Sequence, residues 1–355
     1  MRKKLVGMLA TATLLTMALA GNVQAAEIRS VGPDGEAAVD ASTIELTDDQ
    51  IAQIKEGGYT AAICLHYGGN DWSTSQQKGL EDTFGELGIE IVAVTDANFS
   101  AETQVSNIET VMAKKPDILV SIPTDATATA DAYKQAAAAG IKIVFMDQRA
   151  NGLEAGKDYV SVVSADNYGN GYASGTVLGD ALGGKGKVAM VYYDANFAPT
   201  NQRDEGFRDA MKNYPDIEIV TEQGFTDESG CAEQGDAILT QFPNIDGIYA
   251  SWDVPMEGVL SAVRAAGMEG KVTLACNDLG NNVAREIASG NIAGGGAQMP
   301  YDQGVAEAKL AALALLGEET PSYVAVPAET VTHENVLEAY TDVYHVETPD
   351  WLKEA

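Results

Sequence analysis

Ile143-Val144-Phe145-Met146-Asp147-Gln148-Arg149 carries the pattern on which the fold turns: an apolar run stops abruptly at an acid, an amide and a base. The same break recurs along the chain. Thr60–Leu65 leads to Asn70-Asp71-Trp72, Ile118–Ile122 to Thr124-Asp125, and Val188–Tyr193 to Asn201-Gln202-Arg203. Ile248–Ala250 leads to Trp252-Asp253, and Val272–Ala275 to Asn277-Asp278. Short unbroken apolar runs read as strands buried on both faces, and the segments between them are of helical length. The pattern therefore predicts an α/β fold with parallel sheets. In such folds ligands bind in the crevice beyond the carboxyl ends of the strands. Polar and aromatic clusters at those ends predict a small, hydroxyl-rich ligand.

Helices are predicted over 74–87, 101–113, 126–139, 168–182, 202–213, 229–241, 255–266, 281–289 and 302–316. Gly88, Gly140, Gly183, Gly267, Gly290 and Gly317 fall at or just past their ends, where left-handed geometry is common. Near 159–166 one β–α series gives way to a second of similar length. This predicts two doubly wound lobes, 59–165 with 299–325 and 166–298 with 326–345. Crossings near Asp166, Gln298 and Val326 would make a multi-strand hinge. Residues 26–58 read as a flexible leader followed by a short helix, started by a capping box of Thr47 and Gln50. Residues 346–355 read as an acidic tail.

The N-terminus has the form of an export signal. Arg2-Lys3-Lys4 precede an uncharged apolar stretch to Ala20, and Val23-Gln24-Ala25 supplies small residues for cleavage after Ala25. A periplasmic protein with a signal peptide over 1–25 is the expectation. The chain has 52 acidic against 22 basic residues and a formal net charge of −30. That field disfavours nucleic acid, anionic lipid and polyanionic ligands, and suits an uncharged one. Cys64 and Cys276 lie in apolar runs and Cys231 in a polar stretch; no spacing suggests a disulfide or a metal site.

Catalytic signatures are missing. There is no G-x-S-x-G elbow, and His66, His333 and His345 are the only histidines. His66 reads better as a hydrogen-bonding cleft residue than as a catalyst. No G-x-G-x-x-G follows the first strand, so no dinucleotide cofactor is implied. Gly183-Gly184-Lys185-Gly186 precedes a strand instead of a helix and reads as a turn. Gly294-Gly295-Gly296 reads as tight backbone approach.

Between Tyr59 and Pro327 the clusters resemble the periplasmic sugar-binding proteins of ribose- and galactose-type ABC transporters. The segments that carry the resemblance are Ile122-Pro123-Thr124-Asp125, Met146-Asp147-Gln148-Arg149, Ala165-Asp166-Asn167 and Arg203-Asp204-Glu205-Gly206-Phe207. Trp252-Asp253, Asn277-Asp278 and Gln298-Met299-Pro300-Tyr301-Asp302-Gln303-Gly304 complete the series. The resemblance implies the type I periplasmic binding protein fold, two lobes joined by three hinge strands. It also implies closure on one sugar and docking on a membrane permease. The matching ligand positions are Asn70, Trp72, Asp147, Arg203, Asp278 and Gln298. The chain departs from the ribose-type pattern at three places. Arg149 stands one position late, Trp252 replaces an Asn, and Ile122 replaces another.

The chemistry of these residues agrees with a sugar. Hydroxyls donate and accept, so a closed site needs carboxylates beside Arg, Asn and Gln donors. Asp147, Asp253 and Asp278 are candidate acceptors, and Asn70, Arg149, Arg203, Asn277 and Gln298 candidate donors. Trp72 and Trp252, from different lobes, are expected to face the two apolar sides of a sugar ring. As helix-starting residues, Asp253 and Asp278 are equally readable as caps. The expected partners are a sugar or sugar alcohol and an ABC permease in the inner membrane, with a chemoreceptor as a further candidate. The protein itself is expected to be a monomer. A secreted carbohydrate-active enzyme, or a sugar-signal receptor on the same fold, is the alternative.

Overall fold

A computed structural model describes residues 27–355; the signal segment expected over 1–25 lies outside the described residues. In chain order the strands are β1 (Val39–Asp40), β2 (Thr60–Leu65), β3 (Glu90–Asp96), β4 (Ile118–Ser121), β5 (Lys142–Met146) and β6 (Ser161–Ala165). Then come β7 (Lys185–Tyr193), β8 (Asp216–Phe225), β9 (Gly247–Ala250), β10 (Thr273–Cys276) and β11 (Gly294–Ala297). Finally β12 (Tyr323–Val326) returns to the first sheet and β13 (Glu329–Thr332) to the second. The first sheet has the order β1-β12-β6-β5-β4-β2-β3 and the second β13-β11-β10-β9-β7-β8. Every pairing is parallel except that of β13 on β11. The fold is thus two parallel-sheet α/β lobes. The chain passes between them at 165–167, 297–300 and 326–329.

The helices of the first series are α1 (Asp48–Gly57), α2 (Asp71–Glu86), α3 (Ala101–Ala113) and α4 (Ala130–Ala138). Those of the second are α5 (Asn167–Ala181), α6 (Ala198–Met211), α7 (Cys231–Gln241), α8 (Asp253–Ala265) and α9 (Asn281–Ala288). After them come α10 (Pro300–Leu315), α11 (Val336–Tyr344) and α12 (Asp350–Lys353). The capping box at Thr47 and Gln50 forms with both of its hydrogen bonds. Several helices start earlier than their apolar periodicity suggests. Asn70 accepts from the Ser73 amide and starts α2 at Asp71. With Pro199 in its first turn, α6 starts at Ala198, so Arg203 lies in the second turn and not the first.

Both ends of the chain differ from expectation. The leader is ordered: the backbone amides of Arg29 and Ser30 donate to the Asp166 carboxylate at 2.9 and 2.8 Å. Beyond them β1 extends the first sheet beside β12. Polar composition hid this because the contacts are backbone pairing and side-chain acceptors, not apolar burial. The expected tail folds as α12, with Leu352 buried and Trp351 edge-on to Tyr340 at 5.7 Å. All three cysteines are buried free thiols, Cys231 in the second-lobe core despite its polar neighbours.

Two glycines set how closely α6 approaches α5. A Cβ on Gly171 would lie 1.8 Å from the Arg203 carbonyl oxygen, and one on Gly206 2.1 Å from that of Tyr168. Gly295 and Gly296 are equally constrained against Cys276 and Asn170, the close approach expected of that run. Gly171→Ala is expected to separate the helices and cost about 1–3 kcal/mol in urea unfolding. Gly85→Ala, where a Cβ meets nothing within 4 Å, should be neutral or add up to about 1 kcal/mol. Equal stabilities for the two variants would contradict this packing.

Candidate functional site

Asp147 and Asp278 are set by the same backbone device in opposite lobes. Each follows a strand end in the left-handed region, with φ of 53° and 70°. Each amide donates to the neighbouring strand, Asp147 to Val163 at 2.8 Å and Asp278 to Gly296 at 2.9 Å. Non-glycine residues rarely adopt this conformation, and such strain clusters at functional positions. The turn it makes aims both carboxylates into the cleft between the sheets.

Arg203 from α6 lies between them. Its Nε donates to Asn167 Oδ1 at 2.8 Å, and its Nη1 to Ser251 O at 3.2 Å and Asp278 Oδ2 at 3.1 Å. Burial pulls the guanidinium pKa down, but the charges of Asp278 and Asp147 outweigh it and the net shift is upward. Gln298 completes this end, donating to Asp278 Oδ1 at 2.7 Å and leaving its own Oε1 buried without a partner among the described residues. Asp147 Oδ1 accepts from Ser164, Ala165, Asn167 and Gln303 at 3.0–3.5 Å. Burial raises the Asp147 pKa in spite of Arg203.

The cavity has a second, aromatic end. His66 lies parallel to Phe197 of the other lobe with centroids 5.5 Å apart. Tyr67 stacks on Phe99 at 4.3 Å, and Tyr193 stands edge-on to Trp252 at 5.6 Å. Burial pushes the His66 pKa down to about 3, so the ring is neutral. The cleft is narrow, with a cavity volume of about 50 Å³. Hydrogen bonds also join the lobes outside it: Asn281 donates to Asp71 from its amide at 2.7 Å and its Nδ2 at 2.9 Å, and the Ala198 amide donates to Gln148 at 3.1 Å.

Seven of the nine candidates line this one cavity: Asn70, Trp72, Asp147, Arg203, Trp252, Asp278 and Gln298. Arg149 does not; it turns outward to Asp34, with Nη2 to Oδ1 at 2.6 Å. Asp253 does not either. Its carboxyl accepts from the Val254 and Gly280 amides at 2.8 and 2.9 Å, so it fastens α8 to the start of α9. Burial and the charge of Asp278 raise its pKa to about 8. Asn277 is spent inside the second lobe on Tyr249, Ser251 and Ser174. The two tryptophans do line the cavity from opposite lobes, but each is edge-on to a neighbour, Trp72 to His66 and Trp252 to Tyr193. The parallel pair across the cleft is His66 with Phe197.

A family profile described as a periplasmic binding protein domain matches residues 61–319. The chain belongs to the periplasmic binding protein family. Among its relatives in this family, the D-ribose/D-allose-binding protein of Pseudomonas aeruginosa is 29% identical over 273 residues, covering 74% of this chain and 83% of the relative. The ribose import binding protein of Bacillus subtilis is 27% identical over 213 residues, 59% of this chain and 67% of the relative. A solute-binding protein from Actinobacillus succinogenes, solved with D-allose, superposes with a TM-score of 0.72 at 29% identity. It covers 78% of this chain and 99% of the other. One from Agrobacterium vitis, solved with α-D-tagatopyranose, gives 0.75 at 25% identity, covering 82% and 100%.

Of the lining residues the sequence reading passed over, Tyr67 and Tyr193 sit at strand ends, where a ring reads as part of the apolar run or its turn. Phe99 follows β3, a partly exposed edge strand, and Phe197 immediately precedes α6. His66 is a cleft residue, as expected, but its Nδ1 has no hydrogen-bond partner among the described residues.

Behind Arg203, Asp204 accepts from Ser251 Oγ at 2.6 Å. Burial raises its pKa from 3.8 to about 7. The unfolded chain loses this proton near pH 4 while the native state keeps it to about 7. Stability should therefore fall as pH rises through that window, with no further loss from this group above it. Urea melts of Asp204→Asn should show a shallower decline between pH 4 and 7 than the parent. Parallel profiles would show that the buried acid does not titrate in this range.

Proposed function

We propose that the protein is an extracytoplasmic solute-binding protein. It captures a monosaccharide or sugar alcohol between its lobes and presents it to the permease of an ABC importer. It acts in the periplasm, as a monomer, after losing its N-terminal segment. The observation that carries this reading is the mixed donor and acceptor set of Asp147, Arg203, Asp278 and Gln298, contributed by both lobes to one narrow cavity. A polyhydroxylated neutral ligand satisfies both kinds of group at once. Closure then follows from the ligand bonding both lobes, with the Asp71–Asn281 contact reinforcing the shut state. Aromatic rings beside the polar cluster suit the C–H faces of a sugar.

A catalytic reading is less well supported. Both Asp278 oxygens are committed, to Arg203 and Gln298, and His66 has no acid or base paired to it. Among the described residues no hydrogen-bonded acid–base pair of free groups lines the cavity. The named relatives are binding proteins, not enzymes.

A thermal-shift screen over monosaccharides and polyols tests the reading. A ligand at a hundred times its Kd should add about 2.7 kcal/mol of stability. It should be recovered unchanged at one equivalent per chain; depletion would favour the enzyme. Hydrogen bonds to charged groups are worth about 1.5–3 kcal/mol. Asp147→Ala and Arg203→Ala should each weaken binding about ten- to over a hundredfold by calorimetry. Parent-like affinity in either variant would remove that residue from the ligand site.

A further inference from the structure

Two buried acids meet at the ligand site with very different partners. Asp147 lines the cavity, whereas Glu307, on α10, is fully enclosed and does not reach it. Gln303, one turn before Glu307 on the same face of α10, joins the two regions by donating to Asp147 Oδ1 at 3.3 Å. That oxygen also accepts from Ser164, Ala165 and Asn167, and Arg203 offsets the charge of Asp147. Glu307 has one partner, Gln76 of α2, whose Nε2 donates to Oε1 at 2.6 Å. No cation faces it among the described residues, and the charge that does, Asp147, has the same sign. A carboxylate buried in this way is strongly disfavoured. Burial and the Asp147 charge push the Glu307 carboxyl well above the usual carboxylate range, against a weaker pull from the Gln76 bond.

The unpartnered atoms say where a proton belongs. Glu307 Oε2, Gln76 Oε1 and Gln303 Oε1 are buried without a partner among the described residues, and all three are acceptors. One proton on Oε2 turns that oxygen into a donor. Given to Gln76 Oε1, it closes a reciprocal acid–amide pair with the bond already present. Turning the Gln76 amide over would set its oxygen against Glu307 Oε1, which again calls for a proton. The two helices touch at the backbone here, since a Cβ on Gly304 would lie 2.3 Å from the Gln76 carbonyl oxygen. Ionised together, the two acids would share a cation that is already bonded to Asp278.

We propose that Glu307 is an uncharged carboxylic acid paired with Gln76, a positioning residue that leaves Asp147 as the anionic hydroxyl acceptor of the ligand site. The role of Asp147 rests on the reading of the protein as a sugar receptor; the proton on Glu307 does not.

Glu307→Gln tests it, because the variant keeps the shape and both bonds, as an amide–amide pair, with nothing to titrate. The unfolded chain ionises Glu307 above about pH 4.5 while the native state keeps the proton, so the parent loses stability as pH rises. The variant should fold, and in urea melts its stability relative to the parent should rise with pH above that value. Infrared difference spectra, parent minus variant at neutral pH, should show the C=O stretch of a protonated carboxylic acid. Calorimetry with D-allose, D-ribose and D-tagatose should give both proteins the same affinity for whichever sugar binds. A variant that fails to fold, a stability difference independent of pH, a missing infrared band, or an affinity changed about tenfold or more would each overturn the proposal and leave the sugar receptor standing. Binding of none of these sugars to either protein would overturn the role of Asp147 and the receptor reading, while the infrared band still decides the proton on Glu307.

Discussion

One buried guanidinium organises the cleft. Among the described residues Arg203 is the only cation lining the cavity, and it faces Asp278 directly and Asp147 through Asn167. Burying a charge costs several kcal/mol unless partners replace its water. Here the partners are a carboxylate, an amide oxygen and a backbone carbonyl. The same contacts explain the glycines at 171 and 206: α6 reaches its partners only because it can lie directly on α5. Removing the cation would leave Asp278 dehydrated with only Gln298 to bond it.

An overall charge of −30 sits uneasily with a site of clustered acids, and burial resolves the conflict. Desolvation raises the pKa values of Asp147, Asp253 and Glu307, the last reinforced by the charge of Asp147. Glu307 accepts from Gln76 at 2.6 Å, and Gln303 links the same region to Asp147. The buried Arg203 cation offsets the charges of Asp278 and Asp147 within the cleft. A neutral ligand meets hydrogen-bonding groups there without working against the surface charge.

Much of this was legible in the sequence because strand ends in parallel sheets are punctuated by chemistry. Apolar runs located the strands, the polar residues after them located Asp147, Arg203 and Asp278, and the family resemblance located Gln298. Legibility failed where the deciding contact is not local. Arg149 and Asp147 are two residues apart, yet the left-handed turn at Asp147 sends the arginine outward to Asp34, which lies in a leader with no apolar signal. Asp253 and Asp278 look alike in sequence; only the loop before α9 decides that the first is a fastener and the second faces the cavity. The aromatic end was missed for a different reason. Rings at strand ends read as continuations of the apolar run, and only the meeting of two lobes shows that they line a cavity.

The central claim is that one ligand, bonded by both lobes, holds them together at the hinge-side network. Small-angle X-ray scattering on the ligand-free protein and at saturation tests it most directly. The account predicts a smaller radius of gyration with ligand, and no such decrease in Arg203→Ala at the same sugar concentration. Identical profiles for the free and saturated parent protein would contradict it.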